Sequence, residues 1–364
     1  MQIALKTALF EINGPGLCSA PNLLNSMKKN ILCFGELLLR ITPDAAGVWL
    51  TNNSLPFFVG GAELNVATAL ALWQLPVEYC TALPDNYLSK QLLSYLQHKH
   101  IKTDAVSLSG NRIGLYYLAQ GQDLKHDALI YDRAHSSFAE LQPGMINWDD
   151  VFSDVSWFHF SAISPAVSQH AADVCLEAVK AASEKGITVS VDLNYRAKLW
   201  KYGKTAREVM EQLLPYCNVV MGNIWAAEAM LGIEVLPDIH ESGQKSIYLK
   251  EALKTSEEIV KRYSKCHTVA NTFRFGSDKQ IEYYTALYTG SQFISSKQYA
   301  SNQIVDKVGS GDCYMAGLIY GLYNDWTPEQ VIEFATAAAF TKLFVASDTT
   351  NKTVNDIQNA ISNE

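Results

Sequence analysis

Ile304–Gly321 reads IVDKVGSGDCYMAGLIYG: an extended approach, a tight glycine turn, then an apolar helix. Val308-Gly309-Ser310-Gly311-Asp312 sets three small residues just ahead of one carboxylate. Met315, Leu318, Ile319 and Leu322 follow at helical spacing, so a helix is expected to begin near Gly311 and to bury that face. A glycine turn opening a helix leaves backbone N–H groups unpaired, and with the helix dipole they make an anion site. A carboxylate beside a bound phosphate is repelled by it, so Asp312 needs another reason to be there. Taking a proton from a hydroxyl that attacks the phosphate is one such reason. Taken alone, the stretch is equally an ordinary strand-to-helix turn with Asp312 as a first-turn acid. The rest of the chain has to decide.

At 364 residues there is room for one large domain or two ordinary ones. A hydrophobic fraction of 48% with 18% charged residues is the composition of a soluble globular protein. The net charge of −8 argues against a nucleic-acid or anionic-membrane partner, so an anionic substrate needs a local cluster of donors. The seven cysteines, Cys18, Cys33, Cys80, Cys175, Cys217, Cys266 and Cys313, are scattered and form no CxxC or Cys/His metal spacing. Buried, reduced thiols in a cytoplasmic protein are expected. No apolar run approaches the ~20 residues that span a bilayer. Residues 1–26 make a poor signal peptide and read as a non-core extension, with the domain starting near Met27 and running to 364.

Ile31–Phe34 reads as a buried strand and Leu37–Ile41 as an extended continuation. Phe57-Phe58-Val59 leads into Gly60-Gly61 and a helix over Ala62–Trp73. Val77–Ala82 is an expected strand and Ser89–His100 an amphipathic helix. Arg112–Gln120 and Ala128–Arg133 alternate as the strands of a hairpin, with a turn at Gly121–His126. From Trp157 onward strands and helices alternate: strands at 157–160, 188–192, 218–221 and 267–271, helices at 168–185, 205–214, 226–231 and 250–263. Apolar strands alternating with helices predict an α/β fold with a central, mostly parallel sheet covered on both faces. The segments near 37–59 and 112–133 fall outside that rhythm and are expected to form a small sheet, a lid over the carboxyl ends of the strands where ligands bind.

Three groups of residues carry chemistry. Gly60 and Gly61 permit close backbone approach, and Asn65, one turn into the helix, offers an amide that both donates and accepts. Tyr131 and Arg133 stand two apart on a strand and share a face, with Tyr116 on the partner strand. Arg196 follows the strand TVSVDL at a carboxyl end. Two arginines converging on one site suit a carboxylate, which the guanidinium fork binds bidentately, although pairing with Asp132 or Asp192 is the plainer alternative. His98, His100, His126, His135 and His159 show no metal spacing. Ser161 and Ser164 near a strand end raise a hydrolase, but no G-x-S-x-G elbow accompanies them.

The glycine-pair helix GGAELNVATAL, the middle DLNYRAKLW and the C-terminal GSGDCYMAGL together resemble the ribokinase-like (PfkB-type) carbohydrate kinases, in that family's order and over residues 28–362. Within it, YDRAHSS and DLNYRAKLW look most like 2-keto-3-deoxygluconate kinases, with fructokinases next. The resemblance implies a ribokinase-like α/β core with a β-lid, ATP as phosphoryl donor with Mg²⁺, and allows for a monovalent cation. It makes Asp312 the base and the amides of Gly309, Ser310 and Gly311 the anion hole. Gly60, Gly61, Asn65, Tyr116, Tyr131, Arg133 and Arg196 would hold the sugar acid. The family's Asn-x-x-acid motif appears as Asn223-Ile224-Trp225-Ala226: Asn223 stands on the nucleotide side, the acid is absent, and Glu228 is out of register. No set of metal ligands is assigned. After the last core helix the usual Gly-Asp is Ser347-Asp348. The expected reaction is phosphorylation of the terminal hydroxyl of 2-keto-3-deoxygluconate, with a fructokinase and a sugar-binding pseudokinase as alternatives. The resemblance also implies a homodimer through the lid, and neither nucleic acid nor membrane as partner.

Overall fold

Ile31 and Cys33 pack into one apolar core and Leu32 and Phe34 into another, so successive side chains of one strand feed opposite faces of a sheet. Val219 and Met221 against Val220 do the same. This two-sided burial is why the strands read as continuous apolar runs. The computed structural model describes residues 28–43, 47–50, 53–119, 129–276 and 280–362. The expected extension over 1–26 and the hairpin turn at 121–126 lie outside these residues.

Among the described residues the main sheet has eleven strands. From Thr268–Gly276 the order runs through Val219–Gly222, Thr188–Asp192, Val155–Ser161, Asn30–Phe34 and Val77–Leu83 to Ile101–Lys102, every neighbour parallel. Helices Ala62–Leu72, Ser310–Tyr323 and Pro328–Lys342 cover one face; Gln169–Glu184 and Ala206–Leu213 cover the other. Their starts obey local chemistry: Ser168 accepts a hydrogen bond from the Ala171 amide, and Thr205 with Glu208 closes a capping box.

One edge of the sheet departs from the sequence reading. The strand expected to stop at Asn271 continues to Gly276, and antiparallel Ile281–Thr289, Gln292–Ser295 and Tyr299–Ser301 extend the sheet from it. Gly290 and Ser291 both have positive φ (55° and 67°), as the tightest hairpin turns require.

The small sheet forms as expected, in the order Phe57–Gly60, Leu38–Ile41, Gly114–Tyr117, Ile130–Asp132. It is mixed, since Leu38–Ile41 and Gly114–Tyr117 run parallel while the two outer pairings are antiparallel. Among the described residues between 47 and 59, only the last three are in a strand, one that closes at Gly60. Among the described residues no helix is long and apolar enough to cross a membrane.

Candidate active site

Helix Ser310–Tyr323 starts one residue earlier than its sequence suggests, because Gly309 takes a left-handed conformation (φ 77°) and turns the chain into it. A Cβ on Gly309 would lie 1.9 Å from the Asp348 carbonyl oxygen, so only glycine fits. Gly309 brings no capping side chain, and the first amides of the helix are left for an outside acceptor. The Ser310 hydroxyl turns inward and donates to the Ala339 carbonyl. Gly311 has nothing within 4 Å of where a Cβ would stand. The turn therefore presents backbone, not side chains, to what lies in front of it.

In front of it is a cleft of about 310 Å³ at the carboxyl ends of the strands Thr188–Asp192, Val219–Gly222 and Thr268–Gly276. Gly309, Ser310, Gly311, Arg196 and Asn223 all line it, with Asp192, Lys307 and Arg274. Asn223 caps the helix Ile224–Leu231, its Oδ1 accepting from the Ala226 amide at 2.9 Å. Glu228 is turned away and accepts from the Val235 amide. Arg196 donates through Nη1 to the Tyr195 carbonyl, which fixes its head at the cleft.

Asp312 follows the three turn residues that line the cleft and feels the charges of Asp192 and Arg196 on its wall; it is itself 8% exposed and is not a lining residue. Burial lifts its carboxyl to about 7, with Asp192 adding to the rise and the hydrogen bond from Asn65 opposing it. That bond, Asn65 Nδ2 to Asp312 Oδ2 at 2.7 Å, joins the second glycine-led helix to the first. Asp192 is likewise raised, to about 6, by burial. A carboxyl poised near neutrality is suited to accept a proton in one step and release it in another.

The remaining sugar-side candidates lie around the small sheet. Gly61 (φ 134°) passes so close to Glu36 that a Cβ would sit 2.3 Å from its carbonyl oxygen. Gly60 abuts the Asp348 carboxylate in the same way. Arg133 is buried and donates through Nε to Glu36 at 2.6 Å, with Tyr131 beneath its guanidinium at 5.9 Å. The aspartates weighed as partners, Asp132 and Asp192, are not its partners; Asp132 pairs with Arg112 instead. Tyr116 donates to Asp348 at 2.6 Å.

Several buried charges escaped the sequence reading. Glu63 accepts from the Ser161 amide and hydroxyl and from the Ser164 hydroxyl, at 2.9, 2.7 and 2.8 Å. Both serines raised as a hydrolase signal are thus occupied in bracing a helix. Arg40, fully buried on the small sheet, donates to Asp306 at 2.8 Å and lies 2.7 Å from Asp348. A lone arginine in the run LLLRI gives no local sign of such partners, 266 and 308 residues away. His159 is held neutral, pushed down to about 3 by burial, and bonds Ser190. His98 and His135 bond the Ser94 carbonyl and Glu140 on the surface, and His126 lies outside the described residues. The six described cysteines are buried and free.

The fold has well-matched counterparts. A 2-dehydro-3-deoxygluconokinase structure from Thermotoga maritima superposes with a TM-score of 0.83 at 33% identity, covering 92% of this chain and 99% of that one. A 2-dehydro-3-deoxygalactonokinase from Haloferax volcanii is 25% identical over 92% of this chain and 97% of its own. Fructokinase-2 of Solanum habrochaites is also 25% identical, over 82% and 83%. The family described as pfkB family carbohydrate kinase matches residues 28–353, the span that holds both glycine turns and the cleft, and the chain belongs to that family of sugar kinases.

Proposed function

We propose that the protein transfers the terminal phosphoryl group of ATP to the end hydroxyl of a 2-keto-3-deoxy sugar acid, 2-keto-3-deoxygluconate first among them. The observation that carries this reading is the position of Asp312. It is a buried carboxyl at about 7, between the amide-lined cleft and the Asn65 side of the second glycine turn. Asp312 takes the hydroxyl proton as the sugar oxygen bonds to phosphorus and the bond to the departing ADP oxygen breaks. The Gly309–Gly311 amides and Lys307 hold the charge that develops on the transferring group. Asn65 orients the base. Gly60, Gly61, Tyr116, Tyr131 and Arg133 bound the sugar side, with Arg196 reaching toward a substrate carboxylate.

The donor set suits a magnesium ion held mainly by phosphate oxygens. Asp192 is the carboxylate in the cleft wall, position 226 is alanine, and among the described residues no cluster of three His, Cys, Asp or Glu forms a metal cage. A bound Mg²⁺ would supply charge neutralisation of the phosphate chain, and Asp192 and Asn223, both in the cleft wall, are the residues that would hold it. A monovalent cation fits less well: the buried carboxylates behind the turn, Asp306 and Asp348, already pair with the Arg40 guanidinium, and the Lys342 ammonium, bonded to the Val345 carbonyl, acts on them at longer range.

An ADP-release assay across sugars and sugar acids tests the reading. Keto-deoxy acids of both the gluconate and galactonate series should exceed fructose by at least ~10-fold, the worth of one well-made contact at ~1.4 kcal/mol. Fructose turned over as fast as the keto acids moves the assignment to fructokinase, which the Solanum relative at equal identity favours. Stabilisation by sugar with no response to Mg-ATP and no ADP release would mark a binding protein without turnover.

The outer strands of the small sheet support a homodimer. Phe57 and Ile130 are 56% and 58% exposed there, on edges with no strand beside them among the described residues. Sedimentation of the wild type should give twice the chain mass, and Phe57→Asp with Ile130→Asp should give the monomer. A monomeric wild type refutes this assembly.

A further inference from the structure

The Arg40 guanidinium is a charge with no route to water. It sits on the small-sheet strand Leu38–Ile41, stacked 4.5 Å from Phe58 and wedged between two carboxylates that are themselves fully buried. Both carboxylates belong to the frame of the glycine turn. Asp306 accepts from the Val308 amide through Oδ1 while taking Arg40 on Oδ2, so it pins the residues that enter the turn. Asp348 places its carbonyl oxygen against Gly309 and its carboxylate against Gly60, and accepts from Tyr116. Lys342, also fully buried, is the second cation, its Cε 3.4 Å from the position a Gly309 Cβ would take. Two carboxylates and two cations balance, and no net negative charge remains behind the turn to attract an ion from solution.

We infer that Arg40 is a positioning residue that acts as a built-in cation: it locks the small sheet to the Gly309–Gly311 turn, and it makes turnover independent of any added monovalent cation. The inference rests on the reading of that turn as the anion hole. Arg40 touches neither substrate nor the reacting atoms. Its effect runs through Asp306 and Asp348, which hold the backbone whose amides face the cleft. A buried ion pair broken on one side leaves the other side uncompensated, so removing the guanidinium leaves two carboxylates behind the turn with Lys342 as their one cation.

The test is turnover with the monovalent cation varied between potassium and tetramethylammonium, on the full chain with Mg-ATP and a keto-deoxy sugar acid. Wild-type kcat should be the same in both. Arg40→Ala should lose about 100-fold in kcat, the scale of a ~1 Å misplacement of catalytic groups, while KM for the sugar moves far less. Potassium or low guanidinium should restore at least ~10-fold of that loss and tetramethylammonium none, because only a small or planar cation can enter the vacated space between two carboxylates. Should Arg40→Ala not fold, Arg40→Gln, which keeps part of the stem and drops the charge, should show the same loss and the same rescue. A wild type that requires potassium, a folded variant with full kcat, or a loss that no cation restores would overturn the inference and leave the kinase reading standing. A wild type with no turnover on any sugar sinks both.

Discussion

Asp312→Asn should lower kcat by about 10³-fold, inside the ~10²–10⁴ range that general-base catalysis supplies. Sugar affinity should barely change, because asparagine keeps an oxygen to accept from Asn65 Nδ2. The loss should fall equally on kcat and kcat/KM, the pattern of a group used in the transition state. In the wild type, kcat/KM should rise with pH about a midpoint near 7, where burial has set this carboxyl. A midpoint close to the ordinary aspartate value, or retained turnover in the variant, would remove Asp312 from the role.

The same substitution should stabilise the fold. Asp312 is raised from 3.8 in the unfolded chain to about 7 in the folded one, so the folded state holds the proton more tightly. Such a group contributes its full stability below the unfolded value and loses it as pH rises through the folded value. Above 7 the wild type therefore carries a buried, desolvated carboxylate that asparagine does not. At ~1.4 kcal/mol per pK unit the gain from Asp312→Asn is on the order of 1–4 kcal/mol at alkaline pH, and it should vanish in acid below 3.8. Melting curves of the two proteins across that range decide it. Equal curves at alkaline pH would mean the carboxylate is solvated and the raised value wrong.

The glycine pair of the turn gives the second large contrast. Gly309→Ala forces a side chain into a left-handed position and against the Asp348 carbonyl oxygen. It should cost on the order of 2–4 kcal/mol, the sum of conformational strain and overpacking. Gly311→Ala meets nothing within 4 Å and lies in a helix, so the fold should hold or gain about 0.5–1 kcal/mol. Its methyl group nevertheless stands at the cleft, and kcat/KM for ATP should fall about 10²-fold, as when one oxyanion donor is lost. The first variant should therefore melt early, and the second should melt normally and fail to turn over. If Gly311→Ala kept full activity, the amides of this turn would not be holding the phosphoryl group.

The strand–helix alternation from residue 157, the two glycine-led helices and the small sheet were legible because each is written locally. Period, capping residues and turn glycines all act within a few positions. Ser168 and Thr205 cap where their chemistry says they should. The antiparallel edge after Gly276 is also written locally, in the Gly290-Ser291 turn, but it breaks the strand–helix alternation that precedes it. Gly309, Gly311 and Arg196, legible as residue types at their spacing, and Asn223, legible through the family resemblance, line one cleft, and Asp312 follows them into the helix.

Sequence by itself determined the fold class and the candidate base, since hydrophobic period and turn chemistry are properties of neighbouring residues. Tertiary structure decided the electrostatics. Whether a carboxyl sits at 4 or 7 depends on burial, and burial of Asp312 is made by the strands and helices that close around it. Whether an arginine meets a substrate or a carboxylate depends on what the fold brings beside it. Arg133 meets Glu36, and Arg40 meets Asp306 and Asp348 across most of the chain's length. Charge acts through space, and the sequence holds no distances.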